Sequence, residues 1–195
     1  MNVLIIPEDF RKDQYIVAPL IRKMFAEIGK ANANVRVCLD PLMGGISEAT
    51  KWERIQEVID MYPMVQLFLL IVDRDGIETR RVALDNLEQK AAEHLGSTSR
   101  TLLAENAWQE IEVWAIAGQQ KWPKDWKWAE IRQHPDPKEA YFEPLAKSRN
   151  LLSEPGEGRT TLGKEAALNY TRVRSLCQED VQKLEERLKT ALSGV

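Results

Sequence analysis

Two short acidic clusters follow apolar runs in this chain: Pro7-Glu8-Asp9 after Val3–Ile6, and Asp73-Arg74-Asp75-Gly76 after Val65–Val72. Alternate residues leaving a strand point the same way, so Asp73 and Asp75 are placed to offer two carboxylates to one side. Gly76 lets the chain turn sharply behind them. Carboxylates held close together repel, and one takes up a proton unless a cation sits between them. An oxygen-only ligand set suits Mg2+ or Mn2+. A further acidic stretch runs from Glu105 through Glu110 to Glu112. If Asn106–Ala117 is a helix, Glu105 and Glu112 lie seven residues apart on one face and Glu110 points elsewhere. Arg74, Arg80 and Arg81 lie beside the paired aspartates; Lys138, Arg159 and Lys164 come later, and all are of a type that offsets phosphate charge. Each of these residues also has a plainer use. Acids after strands form turns or cap helices, and lysines, arginines and glutamates are mostly solvated surface.

The clusters need strand ends to carry them. Val3–Ile6, bounded by Pro7, has the length and β-branching of a buried strand. Val65–Val72, apolar except for Gln66, is the strongest central strand, with Val3–Ile6 expected beside it. Val35–Leu39 and Arg100–Ala104 complete a set of four. Between them, apolar spacing predicts helices at Tyr15–Ile28, Glu48–Tyr62 and Glu78–Leu95. Pro19 suggests that the first of these starts near it, and Gly29 is its stop. Alternating strands and helices predict an α/β fold with a mostly parallel sheet flanked by helices. Ligands in such a sheet sit at the carboxyl ends of the strands, where both clusters fall.

The character changes after Gly118. Lys121–Pro144 holds four of the nine prolines and three tryptophans, Trp122, Trp126 and Trp128. Tryptophans stack on bases in some proteins, but mostly they fill cores. Ser153–Gly158 is turn-rich, and helices are expected at Leu162–Leu176 and Asp180–Leu192. We read residues 1–118 as the α/β core and 119–195 as a connection and helical appendage packed on it, within one domain.

Composition narrows the function. At 195 residues and 44% hydrophobic, the chain can bury a full core without metal or disulfide staples. A net charge of −3 gives no global basic footprint for nucleic acid, so any such contact needs a local patch or a metal. No apolar run approaches the ~18 residues of a membrane span, and the N-terminus does not read as a signal peptide. Two scattered cysteines and two histidines lack zinc spacing, which suggests a reduced, cytoplasmic protein. Zinc-protease, nucleophile-elbow and Walker motifs are absent.

An acid after the first strand, Asp-x-Asp after a central strand and a later Glu-x-Trp segment together resemble the Toprim fold of topoisomerases, primases and overcoming-lysogenization-defect nucleases. Small stand-alone proteins of the restriction-linked RloB family are the closer likeness. Leu69-Leu70-Ile71-Val72-Asp73-Arg74-Asp75-Gly76 resembles their aspartate-bearing strand, and Glu110-Ile111-Glu112-Val113-Trp114 their Glu-x-Trp helix. Asp136-Pro137-Lys138 and the closing Leu176-Cys177 with its final helix are also similar. One departure stands out: the usual glycine beside the first-strand glutamate is missing, which leaves either Glu8 or Asp9 facing the metal. The resemblance implies a Mg2+-dependent (or Mn2+-dependent) phosphodiester hydrolase acting on nucleic acid. Asp73, Asp75 and Glu112 would be ligands, joined by Glu8 or Asp9. Glu8 would serve as acid/base and Lys138 as a catalytic cation. It also implies a role in defence against mobile DNA, often beside an ATPase partner. A second reading stays open: a non-catalytic interaction or regulatory module with a vestigial metal site, its tryptophan-rich appendage docking a protein.

Overall fold

The computed structural model describes residues 1–41 and 43–193. Four strands, β1 (Asn2–Pro7), β2 (Asn34–Val37), β3 (Leu67–Asp73) and β4 (Thr101–Ala107), form one sheet in the order β2-β1-β3-β4. Every pairing is parallel. The two interior strands are the two apolar runs, because a strand covered on both faces has no solvent side to make polar. Their side chains divide between two cores with period two: Val3, Ile5, Leu67, Leu69 and Ile71 on one face, Leu4, Ile6, Phe68, Leu70 and Val72 on the other.

Helix α1 (Phe10–Glu27) covers the first face. Helices α2 (Ile46–Ala49), α3 (Trp52–Met61) and α4 (Arg80–Leu95) cover the second. After β4 come α5 (Glu112–Ala117), α6 (Trp128–Gln133), a π-turn at Lys138–Phe142 and α7 (Glu143–Ser148). The chain then forms α8 (Arg159–Leu168), α9 (Tyr170–Leu176), a second π-turn at Gln178–Gln182 and α10 (Lys183–Leu192). This appendage shares a core with α1, to which it contributes Leu162, Tyr170, Val173, Leu184 and Leu188. The tryptophans of the connection pack. Trp122 stacks on Trp128, and their indole N–H groups donate to the Ile116 and Leu176 carbonyls at 2.9 and 3.2 Å. Among the described residues, no helix is long and apolar enough to cross a membrane.

Besides the helix read at Glu48–Tyr62, which is parted into α2 and α3 at Thr50 and Lys51, three local expectations change. Helix α1 begins at Phe10, not near Pro19, with the Asp9 side chain accepting the Arg11 N–H at 3.0 Å. Pro19 sits inside it and has no N–H for the Tyr15 carbonyl. That carbonyl meets Gly163 of α8, where a Cβ would stand 2.2 Å away, so the two helices touch backbone to backbone. Second, Asn106–Ala117 is not one helix. Register pairing carries β4 to Ala107, opposite Asp73; the chain turns through Gln109 at φ 71° and helix resumes at Glu112. Glu105 and Glu112 therefore share no helix face. Glu105 is buried in β4, where Arg81 and Arg187 bond it at 3.2 and 3.0 Å. Third, Leu162–Leu176 is two helices, broken at Asn169, whose side-chain amide donates to the Gly118 carbonyl at 2.8 Å.

Candidate functional site

At the carboxyl ends of neighbouring β1 and β3, carboxylates arrive from four directions. Asp73 is the last residue of β3, and Glu8 follows the last residue of β1. Asp13 lies one turn into α1, where the Asp9 N–H donates to its Oδ2 at 2.9 Å. Glu112 opens α5. The tight turn before α5 aims the Ile111 N–H at Asp73 Oδ1, 2.8 Å away. That turn is itself held by Asp180, fully buried in the second π-turn. Asp180 Oδ2 accepts the Trp108 N–H at 2.8 Å and the Trp114 indole N–H at 2.7 Å, while Arg132 bonds its other oxygen at 2.7 Å.

Burial and mutual repulsion leave these acids short of positive charge. Burial pushes Asp73 well above the usual carboxylate range; the charges of Glu112, Asp13 and Glu8 push it further, and the Ile111 N–H opposes them. Asp13 is pushed up to about 7 by burial first, then by Glu112, Asp9 and Glu8, against the Asp9 N–H. Glu8 is raised by burial and then by Asp75, against the nearby backbone of Asp73 and Ile46 and the charge of Arg80, and its Oε2 is buried without a hydrogen-bond partner. Glu110, half-buried, reaches about 7 through burial, although the Lys138 N–H donates to it at 2.7 Å. Arg159 is the cation set into the cluster. It is buried, and its Nε bonds Glu112 Oε1 at 2.9 Å.

The structure separates the two aspartates that spacing had paired. Asp73 is half-buried and accepts the Ile111 N–H, whereas Asp75 occupies a left-handed turn at φ 51°, more exposed and 3.5 Å from Arg80. The charge of Asp75 raises Glu8 and is not among those that raise Asp73. The turn, not the strand, orients Asp75, so the alternation rule stops at Asp73. Asp9 serves as the cap of α1, held also by Arg11 Nε at 3.2 Å, which leaves Glu8 as the first-strand acid nearer the cluster.

The basic candidates scatter. The Arg74 guanidinium sits over the Trp108 ring, its Cζ 3.9 Å from the centroid. Arg80 faces Asp75 and Glu8, with its Nε buried and unpartnered. Arg81 is turned away, fastened to Asp85, Glu88 and Glu105. Lys138 touches Glu139 at 2.9 Å, close enough to Glu110 and Glu112 to feel both charges. Lys164 is exposed on α8, beside Gln14 and Thr160. Sequence reading missed Asp13 as a site residue. Its signal was the four-residue spacing from the cap Asp9, visible only if the helix starts at Phe10.

The donors are all oxygen, and one is orphaned, which fits a hard divalent cation in type. Among the described residues, no three histidine, cysteine or acidic side chains are gathered into a ready-made cage. Comparison with protein-family models, with curated proteins and with solved structures returned no match.

Proposed function

We propose that this protein is a divalent-cation-dependent phosphodiester hydrolase acting on nucleic acid at the carboxyl ends of β1 and β3. The observation that carries the reading is that Glu8, Asp13, Asp73 and Glu112 lie near enough to feel one another's charge in a partly buried setting, which raises the proton affinity of three of them. Such an arrangement lowers its energy by taking up either protons or a cation. The resemblance to Toprim proteins supplies the reaction class.

Glu8, Asp13 and Asp73 would hold Mg2+ or Mn2+. When bound, such an ion polarises a phosphoryl oxygen and lowers the pKa of an attacking water. The chain's own groups supply the rest. Ile111 and Asp180 fix the direction of Asp73. Glu110, titrating at about 7, is matched to proton transfer near neutrality. Arg74, stiffened by Trp108, presents a guanidinium to phosphate oxygens. One observation favours the second reading: Arg159 already neutralises Glu112, as in a regulatory module that has dispensed with its metal.

Thermal melts in chelator and in Mg2+ or Mn2+, run beside cleavage of single- and double-stranded oligonucleotides, test the proposal. Wild type should be stabilised by the cation and cleave. Asp73→Asn should lose both responses while keeping its circular dichroism. Cation-independent melting with no cleavage would leave the module reading.

A further inference from the structure

The two edges of the sheet are finished differently. On β4, the Ala104 N–H donates to Glu88 at 2.7 Å, and its carbonyl accepts from Arg81 and Arg187 at 2.7 and 2.8 Å. Side chains occupy that edge at Ala104, its midpoint. On β2, the Asn34 N–H donates to Met1 and the Cys38 N–H to Ile5, which fixes the residues that face β1. Val35 and Val37, between them in alternation, therefore turn their backbone outward. The Val35 carbonyl accepts from Arg22 at 3.2 Å. Among the described residues, the Val35 N–H and both polar backbone groups of Val37 have no partner.

Both flanks of this open edge are hollow, and both carry uncompensated positive charge. On one face lies a groove of about 500 Å³ holding Arg36, walled by Leu39, Met61 and Met64, which are 56%, 45% and 73% exposed. Arg36 is steadied by Asn34 at 3.4 Å. On the other face, Val37 borders a hollow of about 240 Å³ containing Arg22 and Lys164. Among the described residues, no acidic one lines either hollow.

We propose that β2 accepts an extended acidic segment of another polypeptide as a fifth strand. Backbone pairing with Val35 and Val37 would supply affinity, and alternate side chains would read the two faces. Acidic residues would meet Arg22 and Lys164, and large apolar ones would enter the methionine-walled groove, whose soft walls adapt to different shapes. A nucleic acid could use the cations, but it has no ladder of alternating donors and acceptors at strand spacing to pair with Val35 and Val37. A second copy of this chain would bring Arg22, Arg36 and Lys164 against their own images. The surface involves none of the clustered carboxylates and stands independently of their chemistry.

Fluorescence anisotropy tests the proposal, using a short labelled peptide in which glutamate alternates with leucine. Saturable binding is expected, weakened about tenfold or more by Arg22→Glu with Lys164→Glu, since each opposed charge pair across strands contributes modestly. The same double variant should bind the lysine–leucine peptide better than wild type does. Met64→Asp should weaken the glutamate peptide, and methylating its alternate amide nitrogens should abolish binding. Failure of the glutamate peptide to saturate, equal binding of the methylated peptide, or its displacement by oligothymidylate would overturn the proposal. So would sedimentation showing a dimer that Met64→Asp dissociates.

Discussion

Asp13→Asn is expected to make the protein more stable, and by an amount that depends on pH. Asp13 binds its proton with an affinity raised from 3.8 to about 7 in the folded chain. A carboxyl raised in this way favours folding fully below its unfolded value. The advantage is lost progressively as pH climbs from about 4 to about 7, where the folded state must ionise a buried acid beside three others. Each pH unit of altered affinity corresponds to about 1.4 kcal/mol, so the full span is ~4 kcal/mol. The surroundings of Asp13 relax as it ionises, which lowers the expected gain to about 2 kcal/mol at pH 8. Asparagine keeps an acceptor for the Asp9 N–H, so the first turn of α1 is preserved. Urea titrations in chelator at pH 5 and pH 8 read the difference directly. Thermal melts should show the variant ahead by roughly 4–8 °C at pH 8 and by less at pH 5. Cation added at pH 8 should close the gap from the wild-type side, because it binds the folded site that the variant has weakened. Equal stability of the two proteins at pH 8 would refute the picture of an overcharged cluster, as would an advantage for the variant that shrinks with rising pH.

Arg159→Leu should cost about 3–5 kcal/mol in urea, by leaving Glu112 buried without its partner, and the double variant with Glu112→Leu should recover most of it. Asp180→Ala should cost a similar ~3–5 kcal/mol, since Arg132, the Trp108 N–H and the Trp114 indole would all lose one acceptor, and a fall in Trp fluorescence midpoint would report it. Gly163→Ala should lower the melting temperature sharply: its Cβ would fall 2.2 Å from a backbone oxygen that cannot move without unseating α1. Asp75→Asn, half-exposed and only 3.5 Å from Arg80, should change stability by less than about 1 kcal/mol, so any loss of cleavage in it reports on chemistry alone.

The sheet was readable because its interior strands obey a local rule. Val3–Ile6 and the run ending at Val72 are apolar on both faces and carry β-branched residues, the pattern of covered strands. Glu105 defeated the same kind of reading. A glutamate at the centre of a strand looks like helix until Arg81 and Arg187, from distant parts of the chain, are seen to neutralise it. Pro19 misled for a related reason: its penalty inside a helix assumes that the freed carbonyl has no other neighbour, and Gly163 was not visible as one. Glu8 and Asp73 do stand at the strand ends where the apolar runs placed them. Asp13 went unmarked because helix start and site membership were one question, and Asp75 was misdirected because a left-handed turn cancels strand alternation. Nothing local to Asp180 announces that it holds the turn at Trp108, 72 positions away.

Ribosomal synthesis gives the Arg159–Glu112 pair a temporal meaning. Glu8, Asp13, Asp73 and Glu112 are all made before Arg159, and the Asp180 fastening is made later still. A nascent chain that has completed its four strands thus carries a cluster of repelling acids with neither its counter-charge nor the tie that shapes its rim. Domains ordinarily begin to fold from the N-terminal side as they emerge. The last fifth of the chain, from Arg159 onward, therefore carries both the counter-charge of Glu112 and the tie that shapes the rim. Arrested chains ending before Arg159 should accordingly remain open to proteases, while those extending past Asp180 should become resistant in a single step.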